Sequence, residues 1–228
     1  MSQSSIRLRD RREAGRLLAS KVHEYGDTEN LMVLAMPRGG VPVAYEIATA
    51  LEAPLDLFLV RMLGVPGYDE VAMGAVTTGG ATVLNSDVIN YLKIPTSTVD
   101  LVAERERMEM EKRRIGYCGG RASLKVEGRT IILVDDGLTT VSTVRYAVQA
   151  LKQLGPARIV LAVPIASQSL WDTVCKDVDH CISLQTSDQF GAGAAWYQDF
   201  IQPPDSEIRD LIDRASVRAG RLERCNVQ

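Results

Sequence analysis

Apolar positions along the chain alternate between two patterns, short continuous runs and runs at helical spacing. Four continuous runs have the pattern of strands that are buried on both faces; they occupy residues 31–36, 55–60, 130–134 and 158–164. Between the first two runs, Val43, Ile47 and Leu51 return at helical spacing, so strand, helix and strand follow one another within about 30 residues. This order predicts an α/β fold, with a parallel twisted sheet flanked by helices.

Three further helices and a last strand extend the predicted order. They are a helix over residues 6–25, a helix over 97–115, a strand over 180–184 and a final helix that Asp205 caps. Ser97 and Asp100 resemble a capping box at the start of the second of these helices. Several glycines interrupt residues 64–84, which we therefore expect to form loops and short strands.

Composition narrows the class of protein without identifying it. The chain has 228 residues, 46% of them hydrophobic, which suits a single domain over residues 1–228. The net charge of −3 gives no electrostatic reason to expect nucleic-acid binding. No apolar run approaches the roughly 20 residues that cross a bilayer, and residues 1–15 lack the apolar core of a signal peptide. We therefore expect a cytoplasmic protein with no membrane partner.

Cysteine usage agrees with that compartment. The four cysteines form no C-x-x-C pair; they are Cys118, Cys175, Cys181 and Cys225. With only two histidines beside them, a zinc site is not expected. Reduced, structural thiols are the expectation for a protein of the cytosol.

The segment after the third apolar run carries the most informative pattern of polar groups. Asp135 and Asp136 end the predicted strand, and the hydroxyl-rich residues 139–143 open a helix. Two adjacent carboxylates need partners, which the neighbouring hydroxyls of a ribose would supply, and the free N–H groups of a helix start favour a phosphate. Ribose beside phosphate is one interpretation of the segment. The other is an N-capped helix preceded by two solvated aspartates.

Known nucleotide-binding motifs do not account for this segment, because G-x-x-x-x-G-K-[ST] is absent and no G-x-G-x-x-G follows a strand. Its order of apolar residues, two acids and a threonine-rich loop resembles the fingerprint of the type I phosphoribosyltransferases. Further blocks fall in the order of a subgroup of bacterial phosphoribosyltransferase-like proteins with unsettled substrates: DRREAGRLLA, LAMPRGGVPVAYEIA, LFLVRMLGVPG, ERMEMEKRRIGYCGGR, TIILVDDGLTT and WYQDF. The resemblance covers nearly the whole chain.

The resemblance implies roles for two loops. Asp135 and Asp136 would hold the ribose hydroxyls of phosphoribosyl diphosphate, with magnesium bridging ribose and diphosphate and held mainly through the ligand. The substrate-binding phosphate loop would comprise Gly137, Leu138, Thr139, Thr140, Val141, Ser142 and Thr143. The diphosphate loop would comprise Pro37, Arg38, Gly39 and Gly40, with a cis peptide bond between the first two.

Further roles concern catalysis and the cover of the site. Arg61 would also face the diphosphate, and the implied catalytic residues are Arg38, Arg61, Asp135 and Asp136. A small hood formed by the N-terminal helix and about residues 185–228 would cover an unidentified acceptor base, with Trp196 stacked on it. Residues 64–84 or 115–122 would supply a mobile cover. The expected assembly is a homodimer.

Several of these roles have plainer alternatives. Gly39 and Gly40 suit an ordinary tight turn as well as a close approach to a ligand. Arg61 suits a surface ion pair as well as a phosphate contact. Trp196 suits ordinary packing of the tail onto the core as well as base stacking.

Two residues depart from the pattern of the resembled family. Val141 replaces the usual glycine of the phosphate loop, and valine tolerates a positive φ poorly. Met62 stands where the subgroup usually has lysine, so one charge that would face the diphosphate is missing.

The leading hypothesis is a phosphoribosyltransferase, a glycosyltransferase of nucleotide metabolism that transfers phosphoribosyl to a nitrogen acceptor and releases diphosphate. It would act by positioning and by stabilising the leaving diphosphate. The alternative is a catalytically weak or inactive sensor of phosphoribosyl diphosphate or a nucleotide, which Val141 and Met62 favour.

Overall fold

The computed structural model describes residues 7–123, 125–138, 141–187 and 196–225. Its helices are α1 (Arg11–Lys21), α2 (Gly40–Ala50), α3 (Ser86–Tyr91), α4 (Thr96–Cys118), α5 (Val141–Gln153), α6 (Gln168–Val174) and α7 (Asp205–Cys225). Its strands are β1 (Leu31–Ala35), β2 (Leu55–Leu57), β3 (Val60–Val65), β4 (Tyr68–Thr77), β5 (Thr82–Leu84), β6 (Thr130–Val134), β7 (Arg158–Ala166) and β8 (His180–Thr186). Short 3-10 turns follow α1 and α6.

Five strands form a parallel sheet in the order β2-β1-β6-β7-β8. Alternate residues of β6 enter different cores, because successive side chains of a strand point to opposite faces. Ile132 and Val134 pack in the core that includes residues of α1, α2 and α7, whereas Ile131 and Leu133 pack in the core that includes residues of α5. The predicted parallel α/β sheet with strands buried on both faces is therefore confirmed.

A second sheet lies apart from the first and was not predicted as such. The strands β3, β4 and β5 are antiparallel, and with α3 and α4 they enclose a small separate core. The apolar run at 55–60 does not form one strand, since β2 ends at Leu57 and β3 starts at Val60. Residues 64–84 are mostly strand rather than loop, although a register shift accompanies Gly64 in β3.

Two local expectations were wrong. Helix α4 begins at Thr96 after Pro95, without a side-chain cap, so Ser97 and Asp100 do not form a capping box. Cys175 and Cys181 are joined by a disulfide, so these two thiols are not reduced as expected. Cys118 is free and buried, and burial raises the pKa of its thiol to about 11. Within the described part of the chain, no helix is long and apolar enough to cross a membrane.

Candidate active site

The candidate site lies where two neighbouring strands end. Strands β1 and β6 are parallel and adjacent, with Ala35 opposite Val134. The backbone N–H of Met36 donates to the carbonyl of Val134 at 2.9 Å, which keeps the two chains side by side as they leave the sheet. In parallel α/β sheets, ligands bind beyond these carboxyl ends. The loop at 37–40 and the segment that begins at Asp135 therefore meet at this edge.

Two glycines allow the close approach of the loops. A Cβ at Gly39 would lie 2.0 Å from Oδ2 of Asp136, and a Cβ at Gly40 would lie 2.7 Å from the carbonyl oxygen of Val134 and 3.0 Å from Cα of Asp135. No side chain fits at such distances, so these positions need glycine for packing and not merely for a turn. The Pro37–Arg38 peptide bond is cis, as the family resemblance implied.

The two carboxylates at the end of β6 differ in surroundings. Asp135 accepts a hydrogen bond from the backbone N–H of Asp136 at 2.9 Å. Burial, and then the neighbouring charge of Asp136, raise the pKa of Asp135 well above its ordinary value. This carboxylate is costly to keep charged without a ligand, because burial disfavours the ionised form. Hydroxyl donors from a ligand would offset that cost.

Arg11, at the start of α1, is the main partner of Asp136 and was not identified from the sequence. Its Nε donates to Oδ2 of Asp136 at 2.7 Å, and its Nη1 donates to the carbonyl of Ile201 at 2.8 Å. The guanidinium lies 4.3 Å from the ring centroid of Phe200, and the side chain is only 5% exposed. The preceding residue, Asp10, caps α1 by accepting from the N–H of Glu13 and so fixes where the helix begins.

The terminal ribbon (residues 8–11 and 196–201) brings these groups to the site. Leu8 donates its N–H to the carbonyl of Trp196 and accepts from the N–H of Gln198, so two segments far apart in sequence run side by side. The hydroxyl of Tyr197 donates to the backbone carbonyl of Asp136 at 2.8 Å. Trp196 is 4% exposed and packs with Leu8 and others in a small cluster. That position corresponds to ordinary tail packing, the alternative to base stacking.

The phosphate loop is only partly described. Thr139 and Thr140 lie outside the described residues. Helix α5 begins at Val141, so this residue has a helical backbone and the expected conflict with a positive φ does not arise. Ser142 and the half-buried Thr143 follow it in the first turn, at the end of the helix that favours anions.

Leu138 has a structural role rather than the predicted substrate contact. Its side chain is buried in the core beside α5, its N–H donates to the carbonyl of Ile165, and its carbonyl accepts from the N–H of Ser167. These contacts use both backbone groups and attach the loop to the end of β7. Gly137, half-buried just before it, remains the nearest loop residue to the carboxylates along the chain.

The two predicted arginines make ion pairs with other parts of the protein. Nη1 of Arg38 lies 3.5 Å from Oδ1 of Asp205, the first residue of α7, and the hydroxyl of Tyr117 donates to that same oxygen. Arg61 uses Nε and Nη2 to donate to Oε2 of Glu106 at 2.9 and 2.6 Å. Arg61 thus forms the predicted alternative, an ion pair, although its partner is only 10% exposed.

The strand that carries Arg61 changes the interpretation of Met62. These neighbours pair with Val76 and Ala75 of β4, so their side chains point to opposite faces of β3. If Arg61 turns toward a diphosphate, Met62 points away from it. Arg61 and Met62 therefore do not face a diphosphate together from this strand, and the contact that a lysine at position 62 would make stays a prediction. Glu106 is buried although it lies in the charge run ERERMEMEKRR, which gives no signal of its burial.

Magnesium fits this edge of the sheet only as an ion shared with a ligand. Among the residues that the structure describes, no cluster of three or more histidine, cysteine, aspartate or glutamate side chains could hold a metal by itself. Mg²⁺ is commonly bound by one or two carboxylates together with substrate phosphates. Asp135 and Asp136 offer that number of carboxylates.

Comparison with known proteins identifies the family. The family described as "Phosphoribosyl transferase domain" matches residues 8–199. Proteins from two strains of Mycobacterium tuberculosis, provisionally named phosphoribosyl transferases, are 37% identical over 206 residues, which cover 90% of this chain and 46% of theirs. The chain thus spans about half the length of these curated relatives.

A further relative and a solved structure agree with this match. The bifunctional protein PyrR of Chloroflexus aurantiacus is 31% identical over 131 residues, which cover 56% of this chain and 66% of its own. The crystal structure of TT1426 from Thermus thermophilus superposes with a TM-score of 0.80 at 37% identity, covering 91% of this chain and 98% of that one. The chain belongs to the phosphoribosyl transferase domain family.

Proposed function

We propose that the protein binds phosphoribosyl diphosphate with magnesium and transfers phosphoribosyl to a nitrogen acceptor with release of diphosphate. The observation that carries the proposal is the junction of two loops, in which Gly39 and Gly40 pack directly against Asp136 and Asp135. This junction brings a glycine loop, two carboxylates and, through the start of α5, a helix N-terminus to one edge of the sheet. Those groups suit a diphosphate, a ribose and a 5′-phosphate in that order.

The chemistry required of the protein is positioning and charge stabilisation. Asp135 and Asp136 accept the two ribose hydroxyls, which fixes C1 of the ribose relative to the acceptor. The backbone of the 37–40 loop and the guanidinium of Arg38 face the diphosphate and stabilise the charge that it gains as the bond to C1 breaks. Magnesium bound with the substrate would neutralise part of that charge. No covalent intermediate on the protein is required.

Relatives support the class of reaction but not the acceptor. The mycobacterial proteins are named for phosphoribosyl transfer, and this chain matches 46% of their length, so their full activity is not carried over. The acceptor is therefore proposed only as a nitrogen-containing base. A location in the cytoplasm, where nucleotide metabolism supplies the substrate, is part of the proposal.

A sensor that binds phosphoribosyl diphosphate without turnover is the second candidate. One observation favours it: Arg61, predicted to stabilise the leaving diphosphate, is held by Glu106. An enzyme that needs this cation would first have to break the pair. Binding at the carboxylates would not require that change.

Dimerisation is also proposed, through an exposed apolar stripe on α4. The stripe repeats every seven residues and consists of Leu101, Met108 and Ile115. On one side of the stripe lies an acidic flank, formed by Glu104 and Glu111. On the other side lies a basic flank, formed by Arg105 and Lys112. If two copies pair with their α4 helices parallel, each acidic flank faces a basic one. Sedimentation should give a dimer for wild type and a monomer for Leu101→Glu with Met108→Glu, whereas Val217→Glu on α7 should leave the dimer intact.

The binding step can be tested by thermal unfolding with phosphoribosyl diphosphate and magnesium. Ligand that binds the native state raises the melting temperature. We expect a rise for wild type, and none for Asp135→Asn with Asp136→Asn. Asp172→Asn, an exposed carboxylate on α6, serves as the matched control and should respond like wild type. If the double variant keeps the wild-type response, the ribose assignment is wrong.

Turnover separates the two candidates. Diphosphate release should be measured for wild type with a panel of nucleobases and other nitrogen acceptors. Release that depends on one acceptor supports the transferase. Binding without release for every acceptor supports the sensor.

A further inference from the structure

Arg11 lies beside Asp136 but has no role in the proposed mechanism. It is the first residue of α1, yet its guanidinium reaches across the terminal ribbon to the end of β6, 125 residues away in sequence. It is nearly completely buried between the ring of Phe200 and the carboxylate of Asp136. Arginine is seldom buried to this degree unless it is paired.

The hydrogen bonds of this guanidinium are incomplete. Nε binds Asp136 and Nη1 binds the carbonyl of Ile201, but Nη2 is buried without a partner among the described residues. In a planar guanidinium, Nε–H and one N–H of Nη2 lie on the same edge and form a fork. Arg61 shows the usual use of this fork, because both of its nitrogens donate to Glu106. Arg11 uses only one arm toward Asp136.

A buried donor without a partner loses its hydration and gains nothing in return. Such an unpaired donor is expected at a site whose side chains change their hydrogen bonds when a ligand binds. A small turn of the Asp136 carboxylate would let it accept from both arms of the fork. The orientation of the other carboxylate oxygen would then be fixed by Arg11.

We infer that Arg11 is a positioning residue for the phosphoribosyl diphosphate site: it holds and orients Asp136 and couples that carboxylate to the terminal ribbon. This inference rests on the proposed function. Arg11 acts through Asp136, since it engages one carboxylate oxygen and leaves the other to accept from a ribose hydroxyl. Tyr197 adds to the same effect by donating to the backbone carbonyl of Asp136. Ordering of the ribbon and binding of the ribose are thereby linked.

Calorimetric titration with phosphoribosyl diphosphate and magnesium chloride tests the inference. Arg11→Lys keeps the charge but cannot bind Asp136 and the carbonyl of Ile201 together, so we expect the Kd to rise about fivefold to tenfold. Arg11→Gln removes the charge and should raise the Kd about tenfold to a hundredfold. Arg12→Gln, the adjacent and more exposed arginine, is the control and should stay within about twofold of wild type.

A double-mutant cycle distinguishes positioning from general support of the fold. In an Asp136→Asn background, Arg11→Lys should change the Kd less than about twofold, because the group that it positions is gone. A purely structural arginine would lower affinity equally in both backgrounds, which would overturn the inference. If Arg11→Gln does not fold, Arg11→Lys and Tyr197→Phe decide the matter, the latter with an expected loss of about threefold.

Two failures can be told apart. If wild type does not bind phosphoribosyl diphosphate at all, the proposed function is wrong. If wild type binds and the folded Arg11→Lys variant binds within twofold of it, the proposed function stands and the role of Arg11 is wrong.

Discussion

Two regions were expected to face the same diphosphate, and they are built differently. At the junction of the 37–40 loop with the end of β6, backbone lies against carboxylate with no room for a Cβ at Gly39. At β3, Arg61 is held only by a side-chain ion pair with Glu106 on α4. In the first arrangement the backbone is fixed by packing, so that only the Asp136 carboxylate itself can turn. The second can change by rotation of two side chains.

This difference separates what the fold fixes from what a ligand can alter. The carboxylate junction belongs to the parallel sheet and its cores, whereas the Arg61–Glu106 pair belongs to the small β3–β4–β5 unit with α4. Under the proposed function, binding of the ribose would therefore need little rearrangement of the backbone. Engagement of the diphosphate by Arg61 would need an exchange of partners.

The largest expected effect comes from filling the junction. Gly39→Ala should destabilise the protein by about 2–3 kcal/mol and abolish the ligand-induced thermal shift, because its Cβ would overlap Oδ2 of Asp136. Urea unfolding, with and without phosphoribosyl diphosphate and magnesium, measures both effects. Gly64→Ala in β3 is the matched control, since its Cβ would meet nothing within 4 Å, and it should change stability by no more than about 1 kcal/mol. Equal effects of the two substitutions would contradict the contrast between the regions.

A smaller effect on stability is expected from the charge of Asp135, which is costly to keep at the junction. Burial and Asp136 raise the pKa of Asp135, so the native state binds a proton more tightly than the unfolded chain, whose aspartate has a pKa of about 3.9. The stability of wild type should therefore fall as pH rises from that value through the raised pKa. Asp135→Asn should be more stable than wild type at pH 7 by about 0.5–2 kcal/mol. Urea midpoints between pH 4 and 8 provide the measurement.

The pH dependence of the stability difference between Asp135→Asn and wild type tests the cause. The advantage of Asp135→Asn should shrink as pH is lowered toward 4, because both side chains are then neutral. An advantage that stays constant with pH would mean that the carboxylate carries no cost, and a variant less stable than wild type at pH 7 would mean that Asp135 is well partnered without a ligand.

Release of Arg61 should have a modest effect on binding. Glu106→Gln removes the anion that competes for Arg61, so we expect phosphoribosyl diphosphate with magnesium to bind about threefold to tenfold more tightly. Glu104→Gln, an exposed neighbour that pairs with Arg107, should not alter the Kd. Weaker binding by Glu106→Gln would show instead that Glu106 orients Arg61 toward the ligand.

The smallest effect is expected at Met62. If Arg61 faces the diphosphate as proposed, Met62 points to the opposite face of β3, so Met62→Lys should change the Kd by less than about twofold. A calorimetric titration beside Glu106→Gln gives the comparison. A tenfold gain would mean that position 62 reaches the diphosphate after all, and the assignment of faces in β3 would be wrong.

Sequence patterns predicted secondary structure correctly where the local preference of a segment agrees with its place in the fold. Residues 130–134 are apolar without interruption after Thr130, and the strand there has those bounds. The hairpin at β3 and β4 was missed because Gly64, Gly67 and Gly74 resemble breakers, although only the pairing of the two strands decides their structure. At Pro95, the chain already turns into α4 one residue before the apparent capping box.

The site residues that were missed share a physical reason. Arg11 and Glu106 are charged residues whose roles depend on partners 125 and 45 positions away, respectively. Nothing near them in the sequence indicates burial. Asp135, Asp136, Gly39 and Gly40 were accessible to prediction because their chemistry is local, at the ends of recognisable strands. The disulfide between Cys175 and Cys181 lacked such a signal, since its two cysteines lie in different elements, one just after α6 and the other in β8.

The backbone pairing of Leu8 with Trp196 and Gln198 also constrains when the protein can first become functional during synthesis. The ribosome makes about 5–20 residues each second and releases the chain from its N-terminal end. Strands β1 and β6 and the two carboxylates that follow β6 can therefore assemble while Leu8 still lacks Trp196 and Gln198, and while Arg11 still lacks Phe200 and Ile201. The nascent chain passes through an interval in which the two carboxylates are in place but Arg11 has not yet gained its contacts with Phe200 and Ile201. Emergence of residues 196–201 ends that interval.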